Sequence, residues 1–373
     1  MRVPFLRSRP LILEPAMNLD TLLAAMAEHH ASDLHLQVGS PPTVRLNGKL
    51  VAMQLDNLTD DSLTQLVEPI LDDDQKQRYR DHRAVDLSYA VPNLARFRVA
   101  AFHEKSHPAC TIRRITSDVP TIDELNLPPV VEEIALIERG LVLVTGTTGS
   151  GKSSTLAAMM NYLNHHRSNR IITIEDPVEF VHEPIKSLVA QREVGPDAAG
   201  FLPALREALR QDPDVILIGE LRDHDTMATA LQAADTGHAV YSTVHTTTAA
   251  QSVQRLIALF PPAERDLLLV QLATNLEAVI SQRLARTVDG KGRVPVVEVL
   301  RSNSSVRKFI LEGRAAELND IIENRENGMQ TFDQHLLELY TAKTISGTEA
   351  LRLATNPEAV SLGMRSAKFQ MLK

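Results

Sequence analysis

Gly146-Thr147-Thr148-Gly149-Ser150-Gly151-Lys152-Ser153 fits the spacing G-x-x-x-x-G-K-[ST], and its flanks decide the reading. Before it, Leu141-Val142-Leu143-Val144 is a short apolar run that predicts a buried strand; after it, Ser154 to Leu163 predicts a helix. Strand, glycine loop and helix are what phosphate binding needs. The glycines let backbone N–H groups turn toward phosphate oxygens, and the helix N-terminus adds the positive end of its dipole. In that reading Lys152 reaches the β- and γ-phosphates of a nucleotide and the Ser153 hydroxyl binds Mg2+. Gly146, Thr147, Thr148, Gly149, Ser150, Gly151 and Ser154 complete the cradle. A glycine-rich turn matched by chance is the competing reading, and the correct flanks weigh against it.

Outward from the loop, apolar strands are expected at Ile171–Ile174, Val215–Ile218, Ala239–Val244 and Val294–Glu298, with helices separating the first four strands of the series. That alternation predicts an α/β fold with a parallel, doubly wound sheet. Ala263 to Leu284 reads as strongly helical, and the remainder as mostly helical with a break at Gly328. Upstream, residues 17–115 predict a smaller α+β domain. It starts with a helix over Leu19–His29 capped by Asn18 or Asp20. A strand follows at Asp33–Val38, then a hairpin turning at Asn47-Gly48 and a helical stretch over 59–80. Strands at Val85–Tyr89, Arg96–Phe102 and Ala109–Arg113 close it. Residues 116–129, with Pro120, Pro128 and Pro129, read as the connection to a second domain over 130–373, which opens with a short helix, Val130–Glu138.

Composition bounds the rest. The 373 residues, 43% hydrophobic, suffice for two cored domains. A net charge of −8 does not advertise nucleic-acid binding. The single cysteine, Cys110, excludes a disulfide framework and any multi-cysteine metal site, and suits a reducing compartment. No apolar run approaches the length of a membrane span. Residues 1–16 carry Arg2, Arg7 and Arg9 with three prolines and no long apolar core, which predicts an extension rather than a signal peptide.

Carboxylates stand where an open α/β sheet binds ligands. Glu175-Asp176-Pro177-Val178-Glu179 follows one strand, and Glu220 ends another, Asp214–Ile218 with Gly219. One of the first group could orient water, and Glu220 is the acid closest to the metal. Solvated acidic turns are the competing reading. His238 begins a strand and His245 ends it, so either could sense the γ-phosphate, although a lone histidine is more often structural. Arg96 and Arg98 share a strand face, and Arg113 lies on a nearby strand. They form a solvated basic face, ion pairs with the domain's acids, or arginine fingers reaching a triphosphate across a domain or subunit boundary.

Together these segments resemble the secretion-type hexameric ATPases. The resemblance rests on the phosphate loop, Ile174–Phe180, Gln191–Val194, Asp212–Glu220, Thr236-Gly237-His238 and Val244-His245-Thr246, and it runs from about Met17 to the end. Within that superfamily the chain looks like the type IV pilus retraction ATPases. Its single cysteine leaves no tetracysteine zinc segment, and no large extra N-terminal domain is expected. Ser305-Val306-Arg307-Lys308-Phe309-Ile310-Leu311-Glu312 resembles the retraction motif Ala-Ile-Arg-Asn-Leu-Ile-Arg-Glu, departing from it at Ser305, Lys308 and Leu311.

The resemblance implies a RecA-like ATPase domain behind a PAS-like N-terminal domain, with ATP and Mg2+ as cofactors. It implies Glu179 as the general base, Glu220 as the acid near Mg2+, and His238 with His245 as the histidine pair. It also implies Arg96, Arg98 and Arg113 as arginines reaching the nucleotide. The implied assembly is a homo-hexamer acting on an inner-membrane pilus platform protein from the cytoplasmic side, with a paralogous accessory ATPase as a further candidate partner and no nucleic acid. An extension or secretion ATPase, a nucleic-acid translocase, and a nucleotide-binding regulator with little hydrolysis are the alternatives.

Overall fold

The computed structural model describes residues 18–371 apart from Asn47, Asn93, Thr116, Ser117 and Lys291. The expected extension over 1–16 and the Asn47 of the expected hairpin turn lie outside the described residues. The chain divides into two compact units between Ser117 and Asp118.

In the first unit α1 (Leu19–Glu28) begins where Asn18 accepts the Thr21 N–H at 2.8 Å, and it buries Leu19, Leu22, Leu23 and Met26. β1 (Asp33–Gln37), β2 (Thr43–Leu46) and β3 (Lys49–Ala52) follow. The helical stretch expected over 59–80 is two helices, α2 (Asp60–Val67) and α3 (Asp73–His82). Pro69 sits in a single 3-10 turn between them, Leu71 is extended, and Asp72 starts afresh by capping Gln75 N–H at 2.8 Å. β4 (Ala84–Val91), β5 (Ala95–Glu104) and β6 (His107–Ile115) complete an antiparallel sheet in the order β3-β2-β1-β6-β5-β4. Alternate residues Leu34, Leu36, Phe97, Val99 and Ile112 face the core with α1 and α2.

The second unit takes in Asp118 onward. Within the stretch read as a connection, Ile122 and Leu127 are buried with Val130, Val131 and Ile134. α4 (Val130–Ala135) is shorter than expected. Then come β7 (Gly140–Thr145), α5 (Lys152–His166), β8 (Arg170–Glu175), β9 (Leu188–Glu193), α6 (Phe201–Ala208) and β10 (Val215–Ile218). α7 (His224–Asp235), β11 (Ala239–Val244), α8 (Ala249–Ala258) and α9 (Arg265–Asn275) follow, then the strands β12 (Leu276–Arg286) and β13 (Arg293–Arg301). α10 (Ser304–Leu311), α11 (Leu318–Glu323), α12 (Phe332–Thr341), α13 (Gly347–Leu353) and α14 (Pro357–Met371) finish the chain.

The sheet order is β13-β12-β7-β11-β10-β8-β9, parallel from β12 to β9, with β13 an antiparallel edge. Leu141 and Leu143 of β7 pack on one face with α6, α7, α8 and α9, while Val142 and Val144 pack on the other with α4 and α5. This is the doubly wound, RecA-like arrangement.

The helix expected over Ala263–Leu284 is corrected. It stops at Asn275, and the chain runs on as β12 between β7 and β13. Ala278, Val279 and Ile280 are all buried, and a run buried on both faces carries no period that separates strand from helix. β9 escaped the sequence reading for the opposite reason. It is a polar edge strand, Leu-Val-Ala-Gln-Arg-Glu, with no apolar alternation.

Candidate active site

The loop leaves β7 at Thr145 and enters α5 at Lys152. Gly146, Gly149 and Gly151 all have positive φ. At two of them a side chain would also meet close neighbours. A Cβ on Gly146 would lie 2.4 Å from Ser150 Oγ and 2.5 Å from the Gln282 carbonyl oxygen, and one on Gly151 would lie 2.8 Å from Gln282 Nε2. Thr147, Thr148 and Gly149 are exposed at the tip, and Ser153 and Ser154 are half-buried on the first turn of α5.

Lys152 is only 8% exposed, and its Nζ donates to the carbonyls of Gly146 at 2.9 Å and Thr147 at 3.2 Å. Burial draws its pKa down, and the nearby carboxylates of Glu220 and Glu179 oppose that. The structure thus brings Lys152, Glu179 and Glu220 to one place.

The end of β10 is stitched to its neighbours. Gly219 N–H donates to Ile174 O at 2.8 Å, Thr243 Oγ1 donates to Gly219 O at 2.7 Å, and Leu221 N–H donates to Thr243 O at 3.0 Å. Glu220 is thereby fixed at the carboxyl edge of the sheet. It pairs with Arg222, and its Oε2 lies 3.4 Å from His245 Nε2, just past the end of β11. That oxygen is buried and, among the described residues, accepts no hydrogen bond; Ser150 Oγ is buried without a partner in the same way.

The acidic turn is organised by residues the motif reading gave no role. Glu175 Oε1 accepts from Thr173 Oγ1 at 2.6 Å and from Gln191 Nε2 at 3.0 Å, and its carboxylate also takes the Glu179 N–H. Burial outweighs these bonds and holds the Glu175 carboxyl above its ordinary range. Gln191 also donates to Phe180 O at 2.8 Å and accepts His182 N–H at 2.8 Å, which ties the turn down around Glu179. The other unassigned anchor is Gln282 of β12, described below. A glutamine just after the apolar run Ala278-Val279-Ile280 was the available signal for Gln282; Gln191, in the polar half of an edge strand, offered none of that kind.

His238 sits at the opposite end of its strand from His245. Its carbonyl accepts Gly140 N–H at 3.0 Å, and its Nδ1 is 2.9 Å from Ala233 O, so it stands where β7 and β11 begin. His245 stands where β11 ends. At about 3.3 Å per residue the two histidines are roughly 23 Å apart, and His238 is out of reach of its own subunit's loop. A sequence position beside a strand does not say which end of the sheet it occupies.

The three arginines belong to the first unit. Arg98 and Arg113 face each other in the β5–β6 register, with Arg96 farther along the same face. Arg113 Nε donates to Asp33 Oδ1 at 2.8 Å, and Arg45 approaches the same carboxylate at 3.7 Å. Burial would raise the Asp33 pKa, but hydrogen bonds from Ser32 and Arg113 outweigh it and hold the carboxyl below its usual range.

Comparison with known proteins agrees with this geometry. The family model described as type II/IV secretion system protein matches residues 87–316. A twitching motility protein of Neisseria gonorrhoeae is 44% identical over 86% of this chain and 86% of its own. The type IV pilus retraction ATPase PilT of Pseudomonas aeruginosa is 43% identical over 92% of this chain and 99% of its own. The chain belongs to the PilT family of secretion ATPases. The crystal structure of the pilus retraction motor PilT with bound ADP, 38% identical, superposes with a TM-score of 0.85 over 91% of this chain and 98% of that one. Membership makes the chain a phosphate-loop ATPase with a nucleotide-binding RecA-like domain. Among the described residues no helix is long and apolar enough to cross a membrane.

Proposed function

We propose that the chain is the ATP-hydrolysing motor of type IV pilus retraction. It works as a homo-hexameric ring on the cytoplasmic side of the inner membrane, against the platform protein at the pilus base and alongside a paralogous accessory ATPase. The observation that carries this reading is the extent of the likeness to the Pseudomonas retraction ATPase, which spans 92% of this chain and 99% of that relative. A shared nucleotide core alone would match only in part. The Ser305–Glu312 segment supports the same branch.

Within the site, Gly146 to Ser154 hold the phosphates and Lys152 neutralises their charge. Mg2+ fits the donors present. Ser153 sits in the first turn of the loop helix, and Glu220 Oε2 is a buried carboxylate oxygen with no hydrogen bond, as expected of one that faces a cation. When bound, the ion would polarise the transferring phosphoryl group. Glu179 orients and deprotonates the attacking water, and His245 beside Glu220 reports the γ-phosphate. Arg96, Arg98 and Arg113, carried on the first unit, supply the remaining positive charge when subunits assemble. His238 serves its own strand, and nucleic acid is not a partner.

Deleting the gene and scoring surface pili and surface motility tests the function. Abundant pili with lost motility support retraction. Bald cells would show a motor of extension instead.

A further inference from the structure

Gln282 lies on β12 and is 2% exposed. Its side-chain amide spans two parts of the phosphate site: Nε2 is 2.7 Å from the Ser150 carbonyl, and Oε1 is 2.7 Å from Thr155 Oγ1. A carbonyl can only accept, so the nitrogen must face Ser150, which leaves the amide oxygen to take the Thr155 hydroxyl proton. Both ends are satisfied, and a flip would set the amide oxygen against the Ser150 carbonyl and lose that bond. The Gln282 carbonyl also crowds Gly146, so β12 lines the loop at its start and its end.

The Ser150–Gly151 peptide is planar, and in a trans peptide C=O and N–H point in opposite directions. Holding Ser150 O against Gln282 therefore turns the Gly151 N–H away from β12. We propose that Gln282 is a positioning residue for nucleotide binding. It fixes the Ser150–Gly151 peptide so that the Gly151 N–H is already aimed at a phosphate oxygen, with Thr155 locking the amide in place. The proposal rests on the nucleotide reading of the loop. A glutamine that merely packed β12 against α5 would affect stability and leave affinity unchanged.

The test titrates the full-length chain with a fluorescent N-methylanthraniloyl-ADP and measures ATPase kinetics in parallel. Gln282→Met keeps the length and removes the donor. It is expected to weaken binding of the analogue roughly tenfold and raise KM to match, with kcat little changed, because a phosphate contact made equally in ground and transition states is uniform binding. Gln282→Glu is the pH-dependent rescue. Ionised, it repels the Ser150 carbonyl; protonated, it donates an O–H to it, and burial brings its pKa up toward neutrality. Its affinity should recover several-fold relative to wild type between pH 8.5 and pH 6, and that of the Met variant should not. If the Met variant does not fold, Thr155→Val, which frees the amide, should weaken binding about threefold. Wild-type affinity in whichever of these two variants folds, or a Glu variant with no recovery at lower pH, overturns the proposal. A wild-type chain that fails to bind the analogue overturns the nucleotide reading and the proposal with it, whereas a binding wild type with an equally binding variant overturns the proposal alone.

Discussion

Lys152 is a cation placed where burial disfavours its charge and two carboxylates, Glu220 and Glu179, favour it. A phosphoryl group in transfer would add negative charge beside it. Removing the ammonium should therefore cost far more in turnover than in folding. Lys152→Ala is expected to lose about 10²–10³ in kcat, the scale of removing one preorganised charge-stabilising donor, with an unchanged circular dichroism spectrum. A variant releasing phosphate at near wild-type rate would end the phosphate-loop assignment. The carboxylates should behave differently. Glu179→Gln and Glu220→Gln leave the glycine cradle and Lys152 intact, so each should still bind ATP while turnover falls on the order of 10²–10⁴. Equilibrium binding and single-turnover hydrolysis separate the two quantities. Collapsed affinity with unchanged turnover per bound ATP would show that neither acid has its proposed role.

Elements differ in how far residues alone reveal them. The loop, its strand and its helix are legible because Gly146, Gly149, Gly151 and the apolar run Leu141–Val144 each have a local physical reason to be there. The ends of β10 and β11 are legible for the same reason, so Glu220 and His245 can be placed at one edge. β12 is not legible, since its buried run Ala278-Val279-Ile280 carries no period and its parallel partner β7 lies far off in sequence. With β12 goes Gln282, whose role depends on a strand pairing rather than on a motif. His238 shows the reverse problem: a motif residue whose position depends on the direction of the strand.

The C-terminal helices also meet the sheet through a group that sequence does not flag. His335 of α12 is buried, and its Nδ1 accepts Val297 N–H from β13 at 2.9 Å. Burial pushes its pKa down to about 4, against 6.5 ordinarily, with Glu338 opposing and Arg325 adding to the effect. Above pH 6.5 both the folded and unfolded chains hold the ring neutral, and its full contribution to stability is present. Between pH 6.5 and 4 the unfolded chain takes up a proton that the folded chain resists, so stability falls as pH falls. The loss is on the order of 3 kcal/mol if the whole shift is expressed. His335→Gln keeps an acceptor without the titration. Thermal melting from pH 7.5 to 4 should show a shallower decline in the variant than in wild type. Parallel declines would mean that this ring does not titrate between the two states.

At the scale of the molecule, chemistry and assembly should be one event. A phosphate loop, a base and a metal acid can bind ATP within one subunit, but they leave the γ-phosphate charge only partly neutralised in the transition state. The remaining candidate cations, Arg96, Arg98 and Arg113, are carried by the first unit. Two of them face each other across β5 and β6, and Arg113 is oriented by a buried Asp33 at 2.8 Å. An arginine held this way is already positioned, and less of its rotamer freedom remains to be lost on meeting a phosphate. If these arginines complete a site only when neighbouring subunits close on it, a heterologous interface that closes into a ring couples hydrolysis to motion. Specific activity should then rise with protein concentration as hexamers form. Arg113→Ala subunits mixed into wild type should depress activity by more than their fraction, because each variant subunit disables a site whose other groups are wild type, and a ring that fires in sequence stalls at the gap. Light scattering with parallel ATPase measurements over a mixing series decides the matter: a fully active monomer, or activity strictly proportional to the wild-type fraction, would show that each subunit completes its own site.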